Sequence, residues 1–368
     1  MNEHQQENPM YHNPNLCNSR DHAMPQPLSG RRRPQTVRRP LFCLAMLFCL
    51  AGAGTAVAFD QPQICTLKTN DHIVFIGDST TAGGFGPTGY GQLLIQALGE
   101  QMPGVKVNGI GKNTQPSGFL VGVLGPNHLF DKLVKDGLAK AEPEPAPTIC
   151  ISIIGLNDSK SGPSGVETFT KNLREGVRLM RERKLTAILA TPSTWGGLTQ
   201  TKPYAEAARV LAAELKCPLI DLYAVQSELI TAHTKDGNLD PVFNPTCDGV
   251  HLSAVGSTLW AGTILKAFGL KPEWKKYQLN TAVTEVGALH RAVAGEMVVE
   301  PKPSNPKQPN YEPGTKVTLT CKPPAGWVFV HWIHSSGEPI AEKSTTLTIT
   351  MDRHQYIAAQ LRKEGVKP

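Results

Sequence analysis

The stretch HIVFIGDSTTAGG, His72 to Gly84, sets an apolar run against an abrupt Gly-Asp-Ser-Thr break. Val74, Phe75 and Ile76 read as a short strand buried on both faces. Gly77 and Asp78 end it and present Ser79 at its carboxyl end. In open parallel α/β sheets that end is where ligands bind. Ser79 is therefore either a helix-capping serine or a reactive hydroxyl, and three later stretches bear on the choice.

A chain of 368 residues with 40% hydrophobic content is long enough for a full core and a second domain. The formal charge is +6, yet residues 1–58 carry six Arg and no Lys against two Glu and one Asp. The remainder is near balance and has no basic stripe interleaved with aromatics, which argues against a nucleic-acid partner. Arg31 to Arg33, Arg38 and Arg39 precede an apolar run from Leu41 to Ala58 that closes on Ala-Val-Ala. That order is the anatomy of an export signal, and cleavage is expected after Ala58, which makes the protein periplasmic, cell-surface or secreted. A run of this length could also be kept as an N-terminal membrane anchor.

Cys17, Cys43 and Cys49 belong to this leader, which leaves Cys65, Cys150, Cys217, Cys247 and Cys321. No C-x-x-C pair exists, so a zinc site is not expected. Cys150, inside ICISII, reads as a buried thiol, whereas a Cys217–Cys247 bridge would tie the last strand to the loop beyond it.

From His72 to about Leu270, short apolar runs alternate with helical patterns, the signature of a parallel sheet between helices. Strands are expected at 73–76, 105–107, 150–154, 187–190 and 219–222. Phe169, Leu173, Val177 and Met180 recur at helical spacing with Lys171, Arg174, Glu175 and Arg178 opposite, and a similar pattern runs through Ala207, Val210, Leu211 and Leu215. From about Ala282 the texture changes to alternating β-branched residues, as in TKVTLTCKP, GWVFVHWIH and TTLTITMD. A separable small β-rich module is expected there. His331 and His334 would point to opposite faces of a strand and share no metal ion.

Three stretches bear on the role of Ser79. In VNGIGKNT, Gly109 follows the second expected strand, where a glycine lets a backbone N–H approach a ligand. The phosphate-loop pattern is excluded because Lys106 stands where its first glycine is needed. In IIGLNDSK, Asn157 lies just past the third strand, as an Asx-turn residue or as an amide donor aimed where Ser79 faces. In CDGVHLS, Asp248 precedes His251 by three residues. A serine nucleophile needs a base to take its proton, and the base needs a carboxylate to fix its tautomer. Trp195, past the fourth strand, either lines a cleft at this edge or packs in the core.

Taken together, GDS, the glycine of NGIG, GLND and DGVH resemble the blocks of the SGNH, or GDSL, hydrolase family. The resemblance implies a flavodoxin-like three-layer α/β/α domain over residues 59–275. It makes Ser79 the nucleophile, His251 the general base and Asp248 its orienting partner. An oxyanion hole would come from the backbone N–H groups of Ser79 and Gly109 and the Asn157 amide. The second block departs from the family pattern, with Val107 at its Asn position and Lys112 at its second glycine. Residues 282–362, including YEPGTKVTLTCKPPAGWVFVHW and TITMD, resemble bacterial repeat modules related to internalin B repeats, which serve as spacers or attachment elements; residues 363–368 form a tail.

The resulting expectation is an exported serine esterase, without metal or organic cofactor, removing short acyl groups such as acetyl from esters that include acetylated polysaccharides. Lipolytic esterases and thioesterases share this chemistry, and a non-catalytic surface-binding protein could share the fold.

Overall fold

The computed structural model describes residues 61–86, 89–126, 129–136, 146–195, 199–240, 243–306 and 309–366. Residues 1–60, where the export signal is expected and where Cys17, Cys43 and Cys49 fall, lie outside them. Five parallel strands form the central sheet: β1 (His72–Gly77), β2 (Lys106–Gly111), β3 (Ile149–Ile153), β4 (Thr186–Ala190) and β5 (Leu219–Ile220), in the order β2-β1-β3-β4-β5. The helices between them are α1 (Ser79–Gly84), α2 (Tyr90–Gln101), α3 (Gly118–Leu124), α4 (Leu129–Asp136), α5 (Val166–Glu182), α6 (Lys202–Glu214), α7 (Leu222–Ala232) and α8 (Ala254–Ala267).

Strand periodicity sorts β1 between two cores. Val74 and Ile76 face α3, α5 and α6, among Leu120, Phe169, Leu173, Val177 and Leu211. Ile73 and Phe75 face α2 and α8, among Leu94, Ala97, Trp260 and Ile264. This is the three-layer α/β/α arrangement, and its doubly buried strands explain the unbroken apolar runs. The α5 pattern holds: its apolar stripe is buried, while Arg174 pairs with Glu214 and Arg178 with Glu175 and Glu182 on the open face. In α6 the stripe is shifted. Val210 is 69% exposed, and Tyr204, Ala205, Ala208, Leu211 and Ala212 are buried in its place.

A short hairpin, β6 (Thr234–Lys235) and β7 (Asn238–Leu239), leads into the loop before α8. The C-terminal strands are β8 (Tyr277–Glu285), β9 (Ala288–Ala292), β10 (Glu296–Glu300), β11 (Asn310–Tyr311), β12 (Lys316–Lys322), β13 (Trp327–His334), β14 (Pro339–Ile340), β15 (Thr346–Thr350) and β16 (Gln355–Lys363). One sheet runs β10-β12-β15; the other runs β11-β8-β16-β13-β14, with β9 on β8. All pairings are antiparallel except β8 with β16. Leu279, Val317, Leu319, Trp332, Ile357 and Leu361 fill the space between the sheets.

The module meets the α/β domain along a polar seam. Trp274 Nε1 donates to the Leu93 carbonyl at 2.9 Å, and its ring stands edge-on to His354, centroids 4.9 Å apart. His354 Nδ1 accepts the Gln278 N–H, and burial pushes its pKa down to about 3, so it is a neutral spacer. The Ala254 N–H, one of the donors at the start of α8 without an intrahelical acceptor, reaches Ser335 Oγ of the module at 3.0 Å. Ser335→Ala is expected to lower stability by about 0.5–1.5 kcal/mol, the usual worth of one such bond, measured by urea denaturation. An unchanged midpoint would show that the seam contributes nothing at this point.

Candidate active site

Ser79 owes its position to the lack of a side chain at Gly77. A Cβ there would lie 2.1 Å from Thr81 Oγ1 and 2.4 Å from the Ile153 carbonyl, so only glycine lets α1 fold back against the end of β1. Asp78 caps the helix, its carboxylate accepting from the Thr80 N–H at 2.9 Å and from Thr80 Oγ1 at 2.8 Å. Asp78 is buried, and burial pushes its pKa up to about 6. Ser79 itself is 7% exposed at the first helical position.

The loop ahead of α8 brings the second group. An isolated bridge between Thr246 and Leu252 and a bond from the Cys247 N–H to the His251 carbonyl close it, with Gly249 at φ 81° making the turn. Asp248 Oδ1 accepts from the backbone N–H groups of Val250, at 2.9 Å, and His251, at 2.7 Å. Asp248 Oδ2 accepts from His251 Nδ1 at 2.7 Å, and His251 Nε2 stands 3.0 Å from Ser79 Oγ. Since an ionised carboxylate only accepts, the proton sits on Nδ1 and Nε2 is left to accept from the Ser79 hydroxyl. Burial disfavours the imidazolium most, but the hydrogen bond and charge of Asp248, together with the charge of Asp78, outweigh it. Lys160 acts in the opposite direction, and the net pKa of His251 is raised.

Asn157 follows β3 and donates from Nδ2 to the Gln115 carbonyl at 3.2 Å, joining the loops after β3 and β2. Its second amide hydrogen remains for another acceptor. Asp158 reinforces this junction: it is buried and accepts from Ser117 through both the N–H, at 2.9 Å, and Oγ, at 2.5 Å. Trp195 is half-buried beyond β4, and the ammonium of Lys160 lies 5.7 Å from its ring centroid.

Gly109 is not where the sequence placed it. β2 continues through Gly111 instead of ending at Val107, so Gly109 lies inside the strand, opposite Phe75 and against the Phe85 ring. Gly111 is level with Gly77, and a Cβ there would lie 2.1 Å from the Ala82 nitrogen of α1. The glycine at the strand's end is therefore Gly111. Its signal was the alternation of VNGIG, which continues a strand past Gly109. Asp78, Asp158 and Lys160 were also passed over. The first two flank named residues in GDS and GLND, and a charge so close to a strand end is itself a sign of a partnered, buried group.

Cys217 and Cys247 form no bridge, and the Cys217 thiol instead donates to the Ala187 carbonyl at 3.2 Å. Cys150 is buried, and its pKa is raised by burial. His331 bonds Gln360 Oε1 at 3.1 Å. Among the described residues, no group of three or more His, Cys, Asp or Glu is arranged to hold a metal ion.

A hydroxyl, an imidazole and a carboxylate in line at the carboxyl ends of β1 and its neighbours can transfer an acyl group. Residues 75–259 match the GDSL-like Lipase/Acylhydrolase family, and residues 302–363 match the Divergent InlB B-repeat domain. Among solved structures, the chain is similar to a catalytic mutant of an acetylxylan esterase from Geobacillus stearothermophilus, at 19% identity and a TM-score of 0.45, covering 56% of this chain and 98% of the other. It is also similar to a protein from Parabacteroides merdae described as a GDSL-like lipase, at 22% identity and a TM-score of 0.45, covering 57% and 100%. No curated protein matches the chain. With half its length matched and this site at the strand ends, the chain belongs to the GDSL-like lipase/acylhydrolase family and is a carboxylic ester hydrolase followed by an InlB-type repeat module.

Proposed function

We propose that the protein is an exported serine esterase that releases short acyl groups, acetyl above all, from carbohydrate esters through Ser79, His251 and Asp248. The observation that carries this reading is the 3.0 Å approach of His251 Nε2 to Ser79 Oγ with Asp248 behind the imidazole. Ser79 Oγ attacks the ester carbonyl as its proton passes to Nε2, and the imidazolium returns that proton to the departing alcohol. The acyl-enzyme is then cleaved by water, which gives its proton to His251 as it attacks, and the acid leaves as Ser79 regains its hydrogen. The oxyanion is held by the Ser79 N–H, the free hydrogen of the Asn157 amide and, in place of Gly109, the N–H of Gly111. The chemistry of these groups calls for no cofactor.

Export rests on the Arg-led apolar run that closes on Ala56-Val57-Ala58. The repeat module suits attachment to a cell surface or matrix, where polysaccharides are met. The preference for short acyl groups rests on the loops and on α3. The apolar segment GFLVGVLG could have walled an acyl tunnel, but Leu120, Val123 and Leu124 of α3 are buried in the core, and Phe119 and Val121 pack against the same cluster. Each methylene left outside an apolar wall forgoes about 0.8 kcal/mol. Accordingly kcat/KM should fall along a series of p-nitrophenyl esters from acetate to octanoate. A rise toward octanoate would favour a lipolytic enzyme.

Asn157→Ala should lower kcat by about 10²–10³ with KM little changed, the cost of one oxyanion donor. Steady-state kinetics on an acetate ester measure it, and an unchanged kcat would leave Asn157 as a tie between two loops.

A further inference from the structure

Lys160 sits awkwardly for a hydrolase of neutral esters. It belongs to the loop that carries Asn157, and its ammonium rests on the ring of Trp195, the half-buried aromatic beyond β4. Lys160 is exposed, and the aromatic face beneath it favours, by about 0.5–1 kcal/mol, the conformers that keep its charge beside Trp195. No acidic side chain among the described residues forms an ion pair with it. The groups whose charges act on His251 are Asp248 from its own loop, Asp78 from the turn before α1 and Lys160 from the loop after β3. The two carboxylates favour the imidazolium that forms as Ser79 attacks, while burial and, among the charged groups, Lys160 oppose it. A cation on the wrong side of the reaction's charge balance adds to the cost of burial unless the substrate brings the charge that cancels it.

We propose that Lys160 and Trp195 form a subsite for a carboxylate on the substrate, so that the preferred esters are acylated acidic sugars of the uronic type. This rests on the esterase reading above. A carboxylate meeting the ammonium beside Trp195 holds the sugar at the strand ends. It also cancels the charge that opposes the imidazolium, so the same contact aids binding and proton transfer. A neutral sugar leaves Lys160 acting against His251.

The test compares two probes, an acetylated oligogalacturonide and its methyl-esterified form, with the full-length protein and its Lys160→Met and Lys160→Arg variants. The wild type is expected to favour the anionic probe by about tenfold in kcat/KM at low ionic strength, and the ratio should shrink as salt is added. Lys160→Met should bring that ratio close to one, Lys160→Arg should keep most of it, and in Lys160→Met the acid limb of the pH profile should move up because the charge opposing protonation of His251 is gone. An equal ratio in wild type and Lys160→Met, with both probes hydrolysed, overturns the subsite and leaves the esterase reading standing. If the wild type hydrolyses neither probe nor any p-nitrophenyl ester, both readings fall.

Discussion

Ser79→Ala is expected to abolish ester hydrolysis, with a loss on the order of 10⁴–10⁶ in kcat, while the protein stays folded. The size of the effect follows from the removal of the attacking oxygen, which no neighbour can replace. Thr80, the next hydroxyl, is committed to Asp78 at 2.8 Å. Structural damage should be small because the groups that build the turn remain: Gly77 still lets α1 lie against β1, and Asp78 still caps the helix through the Thr80 N–H. Two measurements separate chemistry from folding. The wild type should take up one acyl or phosphonyl group per chain from an activated ester or fluorophosphonate, and the variant none, with coincident urea unfolding curves. More than about a hundredth of the wild-type turnover in the variant would remove Ser79 from the role of nucleophile.

The features most legible in the sequence were those set by local rules. The doubly buried strand ending at Gly77, the α5 stripe and the Asp-x-x-His loop are all contained within a few consecutive residues, and each appears where its periodicity or spacing placed it. What was misread depends on contacts between distant segments. Gly109 and Gly111 look alike in VNGIG, and only the register of β2 on β1, Phe75 with Gly109 and Gly77 with Gly111, shows which of them reaches the strand end. Val210 fits a helical stripe on spacing alone, but which side of α6 meets the sheet is decided by the β4 and α5 surfaces, and Val210 ends up in solvent. Asp158 was one letter in a block; its meaning lies 41 residues away, at Ser117. The seam escaped notice for the same reason, since Ala254 and Ser335 belong to segments that each read as self-sufficient.

Asp248→Asn tests the site's proton positions, and its expected effect, about 10⁴-fold in kcat, exceeds that of deleting the side chain altogether. The two oxygens of Asp248 have different partners. Oδ1 accepts from two backbone N–H groups, those of Val250 and His251, and only an acceptor can stand there. An asparagine would therefore place its carbonyl oxygen at that position and its NH₂ where Oδ2 now accepts from His251 Nδ1 at 2.7 Å. That NH₂ donates, so Nδ1 must become an acceptor and the proton moves to Nε2. With a hydrogen on Nε2, His251 can no longer take the proton of Ser79, 3.0 Å away. Asp248→Ala leaves Nδ1 without a protein partner but does not forbid it a proton, because water can accept there. The alanine variant should thus be the more active of the two. Its acid limb should also lie below that of the wild type, since Asp248 is the main group raising the His251 pKa against the effect of burial. Steady-state kinetics from about pH 5 to 9 on an acetate ester would read both effects. An asparagine variant as active as the alanine variant, or more so, would mean that Asp248 does not set the tautomer of His251.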